Sequence, residues 1–211
     1  MPKGRAPRML VARRTALIWA AAGLVHCSWQ LGVVHAQTPR GAKGSTRSKA
    51  EPPAVMVGAG AENLPPAVAD MRAAIQAAVE TGNIAELKGA MDLNELKPEF
   101  GGPVGVDPIA HLKSLSADGG GKDVLDLLGR LLEGTWAAIP GGRDIENNRI
   151  YVWPHFAEVP LDALKSEEQS ALATLLGAEQ AKACIAAKRY RGWRLSIGAD
   201  GVWHMFTLVS G

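Results

Sequence analysis

Cysteine is nearly absent: the 211-residue chain has two, Cys27 and Cys184. A fold stapled by several disulfides is therefore excluded, and stability must come from a hydrophobic core. Aromatics are scarce as well, with 6 Trp, 3 Phe and 2 Tyr. Histidine is scarcer, and only His111, His155 and His204 lie beyond the first 36 residues. No two of these stand four apart, and no HExxH or close Cys/His cluster occurs, so any metal site would have to be assembled by the fold. No metal and no cofactor is expected.

Nucleophile and phosphate motifs are missing too. Ser114, Ser116, Ser166, Ser170 and Ser196 lack the GxSxG setting, and no SxxK is present. The run "DGGGKD" has the wrong spacing for a phosphate loop and puts Asp123 where Ser or Thr should follow the Lys. Asp123 reads instead as a first-turn helix residue favoured by the helix dipole. Glu167, Glu168 and Glu179 read as helix starts and solvated faces.

What is present begins with a targeting pattern. Lys3, Arg5, Arg8, Arg13 and Arg14 precede an apolar run from Ala16 to Val25, and "VHA" before Gln37 supplies small residues for cleavage. The run is too short to cross a hydrocarbon layer of roughly 30 Å. The expectation is a signal peptide over 1–36 cleaved near Ala36, with export to the periplasm or beyond. The paired arginines are compatible with the twin-arginine route. An uncleaved anchor and a lipidated Cys27 are the alternatives, the second disfavoured by the bulky His26. Cys184, left alone after cleavage, reads as a buried helical thiol, with an intermolecular bridge or a reactive thiol as alternatives.

The charge balance changes along the chain. Beyond Ala50 there are 14 Lys and Arg against 21 Asp and Glu, so the basic character belongs to the N-terminal segment. An acidic, exported domain is a poor nucleic-acid binder, despite the aromatics in "YVW" and "WHMF". Arg149, Lys188, Arg189, Arg191 and Arg194 can form a local basic patch for an anionic wall component or a small acid. Expected partners are an envelope protein, a cell-wall component or a small ligand, with no nucleic acid and no transmembrane segment after signal removal.

Residues 37–66, rich in Pro, Gly, Ala and Ser without a period, are expected to be a flexible linker. A single domain should span 67–211. Val68, Met71, Ile75, Ala78 and Val79 have helical spacing, closed by Thr81-Gly82. Asn83 and Glu86 read as a capping box for a second helix carrying Ile84, Leu87 and Met91, with Pro98 as its stop. Asp107 and Pro108 start a third, with Ile109, Leu112 and Leu115 inward and His111 toward the surface. Val124, Leu127, Leu128, Leu131 and Leu132 mark the strongest apolar helix. "IPGGRDIENN" reads as a turn and "RIYVWP" as a strand.

Ser166 with Gln169 begins a further helix broken by Gly177, and an Ala-rich helix follows to about Lys188. The end of the chain alternates around Asp200-Gly201, a hairpin signal. The class is α+β: a helical N-terminal part packed on a small antiparallel sheet formed mainly by the C-terminal third.

Three aromatics, a Pro and a His crowd "YVWPHF", Tyr151 to Phe156. Strand alternation sends Tyr151 and Trp153 one way and Val152 the other, with Trp153 as packing and His155 at the turn. In a regular hairpin His204 shares its face with Trp193, Leu195, Ile197, Phe206 and Leu208, as a core histidine or a polar group in a pocket. Tyr151, Trp153, His155, Trp193 and His204 are therefore the candidate pocket, and His204, His155 and Tyr151 the candidate catalytic groups.

The stretches "NRIYVWPHFAEVPLDAL" and "GWRLSIGADGVWHMF" resemble a signature of uncharacterised exported bacterial proteins, across about Asn148 to Phe206. That resemblance implies no reaction and no catalytic residues. "AAVETGNIAELKGAM" together with the late "DGxW" turn is more loosely similar to the NTF2-like, or cystatin-like, superfamily, from which this chain departs in having more helices and fewer strands before the last hairpin. The expectation is a non-enzymatic periplasmic or envelope-associated binding domain. The alternative is a small hydrolase or isomerase using a histidine general base.

Overall fold

A computed structural model describes residues 55–142 and 148–209; the expected signal peptide and most of the linker lie outside them. The first ordered element is a strand, β1 (Met56–Gly58), followed by α1 (Pro66–Glu80), α2 (Leu87–Met91), α3 (Pro108–Leu115) and α4 (Lys122–Glu133). Strands β2 (Trp136–Pro140) and β3 (Arg149–Trp153) come next, then α5 (Ser166–Leu176) and α6 (Ala178–Ala186), and the hairpin β4 (Trp193–Gly198) and β5 (Trp203–Leu208). The five strands form one antiparallel sheet in the order β1-β2-β3-β4-β5. The fold is α+β, with helices ahead of a sheet built mostly from the C-terminal part. None of the described helices is long and apolar enough to cross a membrane.

Two strands escape the sequence pattern. Met56–Gly58 fall inside the expected linker yet pair with Ala138, Ala137 and Trp136. The short "WAAIP" of β2 follows the Leu-rich helix directly and has no alternation, because Ala137 and Ala138 are both fully buried. A strand buried on both faces shows no period-2 pattern.

Helix ends follow local chemistry. Pro66 occupies the first turn of α1, where its missing N–H costs nothing. Asp107 Oδ1 accepts from Ala110 N at 2.9 Å, and Pro108 follows it. The box at Asn83 forms only in part: Asn83 Oδ1 accepts from Ala85 N at 3.1 Å, but Glu86 meets the Asn83 side-chain amide rather than the main chain. The outcome is a 3-10 turn, Ile84–Glu86, ahead of a short α2 that ends at Met91, well before Pro98. In α3 only Leu112 is fully buried, while Leu115 stays exposed on the last turn.

The main core lies between α1, α4 and one sheet face. Val68, Met71 and Ile75 meet Leu125, Leu128 and Leu132 above Trp153, Leu195, Ile197, Trp203 and Phe206. Leu125 joins Leu128, Leu131 and Leu132 as fully buried residues of α4, whereas Leu127 is only partly buried. Gly129 lets the two helices approach, since a Cβ there would lie 2.8 Å from Val79 Cγ1. Arg72 then donates to the terminal Leu132 carbonyl of α4 through Nε at 3.0 Å and Nη2 at 2.8 Å, answering an end group the helix cannot satisfy itself. A second cluster joins Phe156, Leu161, Leu164, Leu172, Cys184 and Tyr190 under α5 and α6, and Leu175 packs against both clusters.

The hairpin is irregular in a way that relocates a histidine. Leu195 pairs with Phe206 and Ser196 with Met205, but Ile197 pairs with Trp203. His204 is skipped, forming a bulge, and the residue buried from that end of β5 is Trp203. The outer edge of β5 is then closed by other chain. His204 O accepts from Glu99 N, and Phe206 N donates to Glu99 O, each at 2.8 Å. Asn94 pairs with the Trp203 main chain through both amide atoms, at 2.9 and 3.2 Å. These contacts remove donors and acceptors that an open edge strand presents to other chains.

Candidate functional site

The five candidate pocket residues do not converge. Tyr151 and Trp153 face the main core as expected from alternation, and Tyr151 meets the Trp136 ring edge-on at 5.4 Å. Burial pushes the Tyr151 phenol up, so it stays protonated and cannot serve as a base near neutrality. Trp193 stacks on Phe206 with centroids 4.6 Å apart. His204 is exposed, its imidazole beside Gly198. Gly198 pairs with Ile150 at one end of β3, whereas His155 follows Trp153 at the other, so the two histidines lie toward opposite ends of the sheet. His111 is half-buried with Nε2 at 3.2 Å from Phe100 O, a structural bond rather than the surface position expected.

His155 is different. Pro154 ends β3, and His155 begins a 3-10 turn; the residue is 4 % exposed, and its ring packs on Phe156 at a centroid distance of 4.0 Å. His155 N donates to Thr135 O at 3.0 Å. This bond continues the β2–β3 pairing past its last regular rung and brings the Thr135 side chain to the ring. Thr135 Oγ1 and His155 Nδ1 are in hydrogen-bond contact. On the far side of the ring Nε2 lies 3.9 Å from Glu168 Oε1.

Glu168 is held from its own helix. Its Oε2 accepts from Lys165 N at 2.8 Å at the start of α5, which leaves Oε1 toward His155. The cap is thus one residue earlier than the Ser166/Gln169 pairing expected from sequence. A carboxylate can only accept, so the Nε2–H tautomer is favoured on that side and Nδ1 becomes the acceptor for the Thr135 hydroxyl. Burial lowers the His155 pKa, and Glu168 opposes this in part. The imidazole is therefore neutral at pH 7.

This depressed pKa has a stability consequence with a definite sign. Above the model-peptide value of 6.5 the folded and unfolded states both carry a neutral ring, and the full stability is present. As pH falls below it the unfolded state takes up the proton first, so stability is lost until the folded pKa is reached. Urea unfolding at pH 7 and pH 5 should show this loss in the wild type and a smaller one in His155→Gln. An equal loss in both would remove His155 as its source.

Beside Thr135 lies an open cleft of about 530 Å³ between the end of α4, the start of β2 and α5. Leu131, Pro154, Phe156 and Leu175 give it an apolar wall, and Arg130 and Thr174 contribute polar atoms. Thr135 is among the residues lining this cleft, and His155 is not. Sequence reading missed both Thr135 and Glu168. The signal for Glu168 was its place three residues into a helix, where it reaches back to the preceding N–H. Thr135 had none without β2.

The acidic loop has a structural role. Asp118 and Asp123 both contact Ser116 Oγ, and Asp118 accepts from Gly120 N at 2.7 Å and Gly121 N at 2.9 Å. These bonds hold both carboxyls below their ordinary range. Among the described residues no three His, Cys, Asp or Glu side chains gather as a metal site. No family model, no curated protein and no solved structure matches this chain.

Proposed function

We propose that the domain is a small exported hydrolase acting on an ester or amide with an apolar acyl group, with Thr135 as nucleophile, His155 as general base and Glu168 as the group that orients the ring. The observation that carries this reading is the order hydroxyl, neutral imidazole, carboxylate beside a mostly apolar cleft. Thr135 Oγ1 attacks the carbonyl carbon as its proton passes to His155 Nδ1. The tetrahedral intermediate expels the alcohol or amine, which takes that proton, leaving an acyl-threonine. Water then attacks the acyl carbon, gives its proton to Nδ1, and the Thr135 oxygen leaves and recovers it. The 3.9 Å gap to Glu168 shortens or is bridged by water as the ring becomes cationic.

Hydrolysis of p-nitrophenyl butyrate by the purified chain tests the reading. The wild type should turn over, and Thr135→Val and His155→Gln should each fall by about 10²-fold or more. Acyl-Thr135 should be trapped by mass spectrometry. Wild-type turnover that survives both substitutions, or no turnover and no acyl adduct across short-chain esters, refutes it. A second reading, a non-catalytic binding domain, is favoured by one observation: His155 is almost fully buried and its Nδ1 is already engaged by Thr135. In that case both variants would lose stability and no acyl adduct would form.

A further inference from the structure

The acidic domain contains one stretch of opposite character. From Gln180 to Ala199 there are five basic residues, Lys182, Lys188, Arg189, Arg191 and Arg194, and no Asp or Glu. Three of them, Lys188, Arg189 and Arg194, line a cleft of about 340 Å³ with Glu158 and Tyr190. Phe156 lines both this cleft and the one beside Thr135.

The cations here exceed what the fold uses. Glu158 Oε1 accepts from Arg194 Nη2 at 2.5 Å, and Asp162 pairs with Lys188 at 2.8 Å. Arg189 forms no ion pair among the described residues, and Arg194 Nε is buried with no acceptor. Helix capping does not account for the group either. The end carbonyls of α6, Cys184 O and Ile185 O, are already met by the main-chain N–H of Arg189 and Lys188, each at 3.0 Å. Lys188 adopts φ 52°, a left-handed conformation uncommon for a side chain of its kind. That φ belongs to the helix-end turn closed by these two bonds, whereas a buried guanidinium donor without an acceptor is left unexplained by the fold.

We infer that this cleft binds a small oxyanion, a phosphate or phosphate monoester, through Lys188, Arg189 and Arg194, with Glu158 fixing the Arg194 guanidinium. Arginine and lysine donors match such oxygens by charge and by hydrogen bonding. The cleft has room for a substituent beyond the phosphate itself. Recognition is independent of any chemistry at Thr135.

Isothermal titration of the chain with inorganic phosphate at low ionic strength is the test. Saturable binding that weakens with added NaCl is expected. Arg189→Ala and Lys188→Asn, the second chosen because Asn tolerates positive φ, should each weaken it about tenfold, the size of one charge-assisted hydrogen bond, with unchanged thermal unfolding. Absence of saturable binding, or equal binding by the wild type and both variants, overturns the assignment. So does binding to vesicles of anionic phospholipid with none to free phosphate, which would make the stretch a diffuse charged surface.

Discussion

Trp153→Ala should lower unfolding free energy by about 3–5 kcal/mol, whereas Trp153→Phe should cost less than about 1 kcal/mol. The indole is fully buried among the α1, α4 and sheet residues of the main core, so truncation to Ala leaves a large cavity. Its Nε1–H has no acceptor, however. An unpaired buried donor carries a penalty of about 1–3 kcal/mol, and Phe removes it while keeping a ring in place. Trp136 provides the contrast, because its Nε1 donates to Gly60 O at 3.1 Å. Trp136→Phe gives up a bond that ties the β1 end to the core and should be the costlier ring exchange. Urea unfolding of the three variants checks this. If both Phe variants cost the same, the unpaired donor has no energetic weight.

Gly121→Ala should cost roughly 2–5 kcal/mol, and Gly119→Ala only about 1–2 kcal/mol, although the two glycines are neighbours in one loop. Both have positive φ, 91° and 65°, so both lose the conformational freedom of glycine. They differ in what a Cβ would meet. At Gly121 it would lie 2.6 Å from Ile84 Cδ1 and 2.8 Å from Cγ2, and Ile84 is itself fully buried. At Gly119 nothing lies within 4 Å. The difference between the two variants therefore isolates the overpacking cost at the junction of the Ile84 turn and α4. Thermal unfolding that ranks them equally would mean the loop yields to relieve the contact.

The helices were legible because their signals are local. Asp107-Pro108 caps, the Leu periodicity of α4 and the Gly177 break each act within one or two turns, and the structure follows them. The Asp200-Gly201 hairpin was legible for the same reason. Its face assignment was not, because the bulge at His204 depends on how β5 meets β4 on one side and Asn94 and Glu99 on the other. One skipped residue moved His204 from an expected apolar face to solvent and put Trp203 into the core.

The candidate site divides along the same line. His155 stood out as the polar residue of "YVWPHF", and its burial follows from the aromatic packing around it. Thr135 lies 20 positions away, and Glu168 reaches the ring only from the start of α5. A residue's partners across a sheet are set by register, and register is set by the burial of whole strands rather than by any nearby letter.

By itself, the sequence determined the class, the approximate positions of the main helices, the inward direction of Tyr151 and Trp153, and the concentration of positive charge before the last hairpin, because capping, periodicity and charge are properties of contiguous residues. Only the tertiary structure decided that β1 and β2 exist, that His155 meets Thr135 and Glu168, that His204 stands apart, and that Lys188, Arg189 and Arg194 share one cleft. Each of these rests on contacts between segments distant in the chain, whose pairing is selected by burial summed over the whole core.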